Sequence, residues 1–185
     1  MNGPPAFLVL YGIPPEFVVS DAQGRSLGKK FQLDKSNKGS FETALRIALG
    51  AFFAKHADMD RARMVFVRTA GDVAKAVKAA NSNTHIVYYG HAIAEDKKLA
   101  PSKGQRITID QLSRMLKGSS ISHFDFLGCS SVGIAADLSI AIPGVRFGGL
   151  MNKRNDEFEV EFRTLQVRKM AITKQEFLHF GAGSQ

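Results

Sequence analysis

The chain has a single cysteine and five histidines among its 185 residues. Cys129 follows a short apolar run that ends in Gly128, and His91 follows a similar run that ends in Gly90. Both runs are rich in aromatic and β-branched residues, which is typical of short β-strands. If these strands are parallel neighbours, His91 and Cys129 lie at the same edge of the sheet, where open α/β sheets place their sites. An imidazole beside a thiol is the minimum needed for nucleophilic catalysis by cysteine.

The segments around these runs predict an α/β fold, because apolar strands alternate with amphipathic helices. The predicted strands of the central sheet lie at residues 7–11, 64–67, 85–89, 124–127 and 145–150. The predicted helices lie at residues 41–53, 73–80, 109–116 and 132–142. Short connections from strand to helix to strand favour parallel strands with right-handed crossovers. We therefore predict a three-layer α/β/α sandwich with a mostly parallel central sheet.

Polar residues predict where the helices begin. The predicted caps are Ser40, Asp72, Thr108 with Gln111 as a capping box, and Ser130 with Ser131. Outside the central sheet, a weak hairpin signal lies around residues 17–19 and 31–33. A strand at residues 158–162 alternates apolar and charged residues, and it is predicted to pair with residues 165–172.

Composition predicts one soluble, cytoplasmic domain that spans residues 1–185. The 44% of hydrophobic residues supply a sizeable core. No stretch approaches the roughly 20 apolar residues that cross a bilayer, so we expect no membrane association. The run at residues 6–13 is short and lacks the basic flank of a secretory signal. A single cysteine cannot form an internal disulfide, which agrees with a reducing compartment.

The formal net charge of +8 raises the question of nucleic acid binding. Basic residues occur as scattered pairs such as Lys153-Arg154, and neither a zinc-finger spacing nor an aromatic RNA-binding motif is present. A scattered surplus is typical of a solvated surface, so we do not expect nucleic acid as the main partner. A basic nucleic-acid-associated module stays as an alternative, and its binding would weaken steeply with salt.

The motif order resembles the caspase-like cysteine peptidases, the group of caspases, clostripain, gingipain, separase and the bacterial CHAT domains. The resemblance rests on residues 86–91, 107–112 and 124–131, and the order and separation of these segments are most like those of CHAT domains. Two positions depart from the pattern. Ala92 stands where these enzymes usually have Gly after the histidine. Leu127 stands where an acidic residue or Gln often helps to select the substrate side chain.

The resemblance implies a cysteine endopeptidase acting on protein or peptide substrates. Cys129 would be the nucleophile, His91 the general base or acid, and the backbone N–H groups of Ala92 and Cys129 would stabilise the oxyanion. The residues expected to contact the substrate are Leu127, Gly90 and Gly128. The connections at residues 94–106 and 151–156 are expected to form the walls of the substrate groove.

Such enzymes are often held inactive until a partner, cleavage or dimerisation completes the groove, so we expect an activating or inhibitory protein partner. No cofactor is expected. No metal is expected either, because the neighbouring carboxylates Glu95 and Asp96 lack further ligands. The alternative within this fold is a catalytically silent module that binds partners through the same edge. A thiol at Cys129 no more reactive than a free thiol would favour that alternative.

The other histidines and Asp125 have structural interpretations. His85 and His123 open their strands at the opposite edge, where we expect them to be solvent-facing or structural. Asp125 lies about 13 Å from the cysteine at roughly 3.3 Å per strand residue, which is too far to orient the imidazole there. We expect it to hold a neighbouring loop by accepting backbone N–H bonds. His56 and His179 have no partner that the sequence indicates.

Overall fold

A computed structural model of the chain describes residues 6–12, 18–20, 25–154, 156–173 and 175–182. Backbone proximity divides the chain into two compact units. The first contains the described residues of Met1–Ile13, Arg61–Arg154 and Gln175–Gln185, and the second contains those of Pro14–Asp60 and Asn155–Lys174. A compact unit need not fold independently, so a single domain over residues 1–185 stays a prediction.

Strands and helices alternate along most of the described chain. The strands are β1 (Ala6–Tyr11), β2 (Val18–Ser20), β3 (Ser26–Lys30), β4 (Arg63–Phe66), β5 (Thr84–Tyr89), β6 (His91–Ile93), β7 (Lys98–Ala100), β8 (His123–Leu127), β9 (Arg146–Leu150), β10 (Asp156–Glu161), β11 (Gln166–Ile172) and β12 (Phe177–Phe180). The helices are α1 (Lys38–Phe53), α2 (His56–Asp60), α3 (Ala70–Lys78), α4 (Ile109–Leu116) and α5 (Val132–Ala141). No helix of the described residues has the length and apolar character needed to cross a membrane.

The first unit contains a six-stranded sheet with the order β12-β9-β8-β5-β1-β4. The five neighbouring strands β9, β8, β5, β1 and β4 run parallel to one another. The edge strand β12 is antiparallel to β9. The mostly parallel α/β architecture predicted from the sequence is therefore confirmed. The short strands β6 and β7 form a separate antiparallel hairpin.

One face of this sheet packs against three helices. Leu10, Tyr88 and Phe126 are register neighbours on that face, and they share an apolar cluster with residues of α3, α4 and α5. Residues 7–11 of β1 are all buried, on alternating sides of the strand. Burial on both sides explains why this strand is a continuous apolar run and does not alternate with polar residues.

The starts of α3 and α4 follow local signals, with one correction at α3. The predicted capping box of α4 is confirmed, because the Thr108 hydroxyl accepts from the N–H of Gln111 at 3.2 Å and the Gln111 side chain accepts from the N–H of Thr108 at 2.9 Å. The predicted cap Asp72 is wrong in position. Thr69 caps α3, and Asp72 is the acidic member of a second capping box, accepting from the N–H of Thr69 at 2.9 Å.

The second unit joins α1 to the antiparallel pair β10-β11, which confirms that predicted pairing. The predicted cap of α1 is wrong, because the helix begins at Lys38 and Asn37 occupies the cap position. The hydroxyl of Ser40 instead donates to the carbonyl of Asn37 at 2.9 Å and accepts from the N–H of Val167 in β11 at 3.0 Å. Ser40 therefore ties the first turn of α1 to the hairpin.

Two weaker regions differ from expectation. The hairpin predicted at residues 17–19 and 31–33 has its second strand earlier, at β3, and Phe17 lies outside the described residues. Helix α2 and strand β12 were not predicted. Strand β12 has only four residues, and its sequence Phe-Leu-His-Phe lacks the alternation that marks an edge strand.

Candidate active site

His91 and Cys129 follow two strands that are neighbours in the sheet. Strands β5 and β8 are parallel, and their last paired residues are Tyr89 and Leu127. His91 and Cys129 each come two residues after that pair, so they occupy equivalent places beyond the same edge with no strand between them. The predicted common edge is confirmed.

The backbones beside the two residues lie against each other at Gly128. A Cβ at this position would be 2.5 Å from Cβ of Ala92 and 3.1 Å from its amide nitrogen, which is closer than real Cβ contacts. Only glycine permits this approach. On the histidine side, a Cβ at Gly90 would be 2.6 Å from the hydroxyl oxygen of Tyr88, which donates to the carbonyl of His91 at 3.1 Å. Gly128 thus allows the two connections to meet, and Gly90 leaves room for the hydroxyl of Tyr88.

Cys129 lies in a tight turn between β8 and α5. Ser130 has a φ of 49°, which costs backbone energy for a residue with a side chain, and its N–H donates to the carbonyl of Asn152 at 3.0 Å. Ser131 stands at the cap position of α5, but its hydroxyl donates to the carbonyl of Phe126 at 2.6 Å and accepts from the N–H of Leu150 at 3.1 Å. The predicted side-chain caps are therefore wrong, and the two serines fix the turn that presents the partly exposed thiol.

Neither of the two backbone N–H groups predicted for the oxyanion has an acceptor among the described residues. Leu99 in β7 exchanges hydrogen bonds of 3.0 and 2.8 Å with Ile107, so its backbone groups point away from β6. Ala92 is the register partner of Leu99, and its own N–H therefore points away from β7. No described residue accepts a hydrogen bond from the N–H of Cys129. Both donors flank the contact at Gly128.

The imidazole of His91 is not oriented by a carboxylate among the described residues, since none of them hydrogen-bonds to its ring. Partial burial of the ring lowers the pKa of His91, and the positive charges of Arg154 and Arg106 lower it further. The imidazole is therefore mostly neutral at pH 7 and able to accept a proton. Among the described residues, no carboxylate hydrogen-bonds to His91 to add a third member to the predicted histidine–cysteine pair.

Arg154 is a site residue that the sequence did not reveal. As half of a basic pair it was counted among the solvated charges, yet it is only 8% exposed. Its guanidinium donates to the carbonyls of Leu127 and Gly90, and it lies 3.9 Å from the ring centre of Tyr89. A buried positive charge thus joins the two chain segments that lead into His91 and Cys129. A basic residue in a polar loop carries no local signal of such burial.

The remaining predicted site residues are placed as follows. Leu127, Gly90 and Gly128 are all buried at the strand ends, and contact with a substrate stays a prediction for each of them. The predicted groove wall at 94–106 contains the end of the β6-β7 hairpin. In the wall predicted at 151–156, Asn152 contacts the cysteine turn, and Asn155 lies outside the described residues.

A second group of chemically active side chains lies at the other end of the same strands. Asp125 is fully buried and contacts the imidazoles of His85, His123 and His179. Burial by itself would raise the pKa of Asp125, but hydrogen bonds from the three histidines hold that pKa well below its ordinary value. The expected role of Asp125 in holding a loop backbone is therefore wrong. His179, for which the sequence indicated no partner, contacts Asp125 at 3.4 Å.

The sequence matches no protein-family model and no curated protein. Its function is therefore argued from the geometry and chemistry of these two groups.

Proposed function

We propose that the protein is a cysteine endopeptidase of the caspase-like kind, with a three-layer α/β/α fold and the catalytic pair His91 and Cys129. The observation that carries this proposal is the packing of Gly128 on Ala92 at the shared edge of β5 and β8. This contact brings the connections that carry the imidazole and the thiol together. A neutral imidazole beside a partly exposed thiol suits proton transfer from a nucleophile.

The reaction begins when His91 accepts the thiol proton and the sulfur of Cys129 attacks the peptide carbonyl carbon. The carbonyl oxygen becomes an oxyanion, which the N–H groups of Ala92 and Cys129 stabilise. His91 then returns its proton to the leaving amine as the C–N bond breaks, and a thioester remains on the enzyme. Water, deprotonated by His91, hydrolyses the thioester and restores the thiol.

The turn around Cys129 supports its role as the nucleophile. The strained residue Ser130 places the thiol at a sharp strand-to-helix turn, with α5 beginning three residues later. The amino end of a helix carries partial positive charge, which stabilises negative charge that develops nearby during the reaction. The buried guanidinium of Arg154 adds positive charge on the other side. We propose on this basis that substrates with an acidic or neutral residue before the cleaved bond are preferred to those with Lys or Arg.

One observation favours a second candidate, a catalytically silent member of the same fold that binds protein partners. Leu127 and Gly90 are buried, and their carbonyls already accept hydrogen bonds from Arg154. A substrate that needs these groups would have to displace that arginine. In either case we propose a cytoplasmic protein whose activity is controlled by another protein.

Labelling with electrophilic peptide probes tests the proposal and separates the two candidates. The probes carry acidic, neutral or basic first residues, and the bond they form is measured by intact mass. We expect stoichiometric labelling of the wild type, none in Cys129→Ala, and a rate about 100-fold lower in His91→Ala, because general base catalysis typically contributes 10²–10⁴-fold. His56→Ala, at the exposed start of α2, is the matched control and should label like the wild type. Equal rates in His91→Ala and the wild type would support the silent module.

A further inference from the structure

The group around Asp125, here called the histidine cluster, consists of His85, His123, His179 and Asp125. Its Nε2 atoms all point at the carboxylate: His85 lies 2.8 Å from Oδ2, His123 lies 3.0 Å from Oδ1, and His179 lies 3.4 Å from Oδ1. The rings of His85 and His123 are stacked, with centres 3.8 Å apart and planes 9° apart. Three imidazoles from three different strands therefore converge on one buried carboxylate.

The sheet register builds this cluster. His85 of β5 is the direct partner of His123 of β8, and Asp125 lies two residues further along β8 on the same face. Strand β9 stands between β8 and β12, and its residue Gly148 is paired with Asp125 on one side and with His179 on the other. A Cβ at Gly148 would collide with the carboxylate of Asp125. The glycine leaves the space through which His179 reaches across the intervening strand.

We propose that the histidine cluster binds one Zn²⁺ ion. Imidazole nitrogen and carboxylate oxygen are ligands that zinc prefers, and four protein ligands make a closed, tetrahedral structural site. With bonds of about 2.0–2.1 Å, neighbouring ligand atoms of a tetrahedral zinc lie roughly 3.3 Å apart. His123 and His179 lie 3.0 and 3.4 Å from Oδ1, which is close to that spacing, whereas His85 lies 2.8 Å from the other oxygen, Oδ2. The ligand atoms of His85, His123 and Asp125 lie within 4.8 Å of one another, and His179 stands outside that set of three. His179 would therefore have to move closer to the other two imidazoles to become the fourth ligand.

The side chains of His85, His123 and His179 are 14%, 22% and 27% exposed, whereas that of Asp125 is not exposed at all. The imidazoles are therefore the part of the cluster that solvent reaches. With His179 drawn in as the fourth protein ligand, the ion would have no open position for a substrate. It would fasten the antiparallel edge strand β12 to β8 and β5.

The test is a zinc titration of the full chain after removal of metal, in competition with a chromophoric chelator. We expect one equivalent of Zn²⁺ to bind the wild type and a melting temperature that rises with zinc concentration. His123→Ala should bind more than about 100-fold more weakly, since loss even of an outer partner of a zinc ligand costs 10–100-fold. His56→Ala, the control outside the cluster, should bind as the wild type does.

A second pair of measurements keeps the proposal falsifiable. Cys129 and His91 are themselves possible zinc ligands, so the double variant Cys129→Ala with His91→Ala must keep its equivalent of zinc. Bound Co²⁺ should show the visible absorption of a tetrahedral site without a thiolate charge-transfer band. His179→Ala, on the edge strand, repeats the test at a position that disturbs the sheet least, with folding checked by circular dichroism. No stoichiometric binding by the wild type, or binding that needs Cys129 and survives His123→Ala, would overturn the proposal and leave the cluster as a hydrogen-bonded support for Asp125.

Discussion

Histidines lie at both ends of the β5-β8 strand pair, and the two ends differ in whether their imidazoles are hydrogen-bonded. At the carboxyl end, His91 is the first residue of β6 and Cys129 lies in the turn before α5, and no described residue hydrogen-bonds to the imidazole or the thiol. At the amino end, His85 and His123 lie inside their strands, and both contact the buried Asp125. Backbone packing positions the first pair, and mutual side-chain contacts hold the second. In the first arrangement the imidazole and the thiol make no hydrogen bond to a described residue. In the second, the imidazoles of His85 and His123 are hydrogen-bonded to Asp125.

Each end depends on one glycine where two chain segments approach closely. Gly128 admits Ala92 at the carboxyl end, and Gly148 admits Asp125 and Phe177 at the amino end. If the two ends have separate functions, an alanine at each glycine should damage only its own end. The comparison is therefore open to direct tests.

The largest effect is expected from Gly128→Ala. The new Cβ would force the two connections apart, and a displacement of about 1 Å at a catalytic pair can cost about 100-fold in rate. We expect the rate of probe labelling to fall by about that factor, while zinc binding at the other end is unchanged. The measurement is the second-order rate constant of labelling.

Two variants control this result. Gly133→Ala lies in α5, where the nearest atom to a new Cβ is 3.5 Å away, so labelling should stay at the wild-type rate. Adding Ala92→Gly to Gly128→Ala removes the clash between the two Cβ atoms and should restore part of the activity. Full activity in Gly128→Ala alone would contradict the role of this contact.

A smaller effect, on stability, is expected from Gly148→Ala. Inserting a methyl group against Asp125 and Phe177 should lower the free energy of unfolding by about 1–3 kcal/mol, the usual cost of overpacking. The labelling rate of the folded protein should not change, because Cys129 is at the other end of the strands. Urea unfolding in the presence of a metal chelator measures the loss. Gly39→Ala, where a Cβ meets nothing within 4 Å, is the matched control, and equal midpoints for the two variants would contradict the close packing at Gly148.

The smallest effect is a shift in pH dependence. Partial burial and then the charges of Arg154 and Arg106 lower the pKa of His91 below the ordinary 6.5. The labelling rate should be highest at pH values above that pKa, where the imidazole is neutral. The rate should fall as the pH drops through the pKa and the imidazole becomes protonated. Arg154→Met removes one positive charge, so the pKa of His91 should rise and the loss should begin at higher pH.

Lys153→Met is the control for this shift, because it removes the same charge from an exposed neighbour and should leave the profile in place. The same arginine variant should also reduce the preference for acidic over basic probes. If the loss of labelling at low pH is the same in the wild type and in Arg154→Met, a group other than His91 causes that loss.

Much of the fold follows from short-range patterns in the sequence. The apolar runs at β1, β5, β8 and β9 predicted the central strands because strands buried on both sides are mostly apolar. The capping box of Thr108 and Gln111 predicted the start of α4 because its hydrogen bonds join residues three apart. The same reasoning failed at Ser40 and Ser131, whose hydroxyls bond to distant strands and not to their own helix ends.

The candidate site divides in the same way. The sequence by itself determined that His91 and Cys129 follow apolar strands with a glycine before each, because strand and turn preferences act over a few residues. Only the tertiary structure decided that Arg154 is buried beneath them and that His179 meets His85 at Asp125. Those contacts depend on which strands become neighbours and in which register, and hydrogen bonds between segments far apart in the chain set that choice.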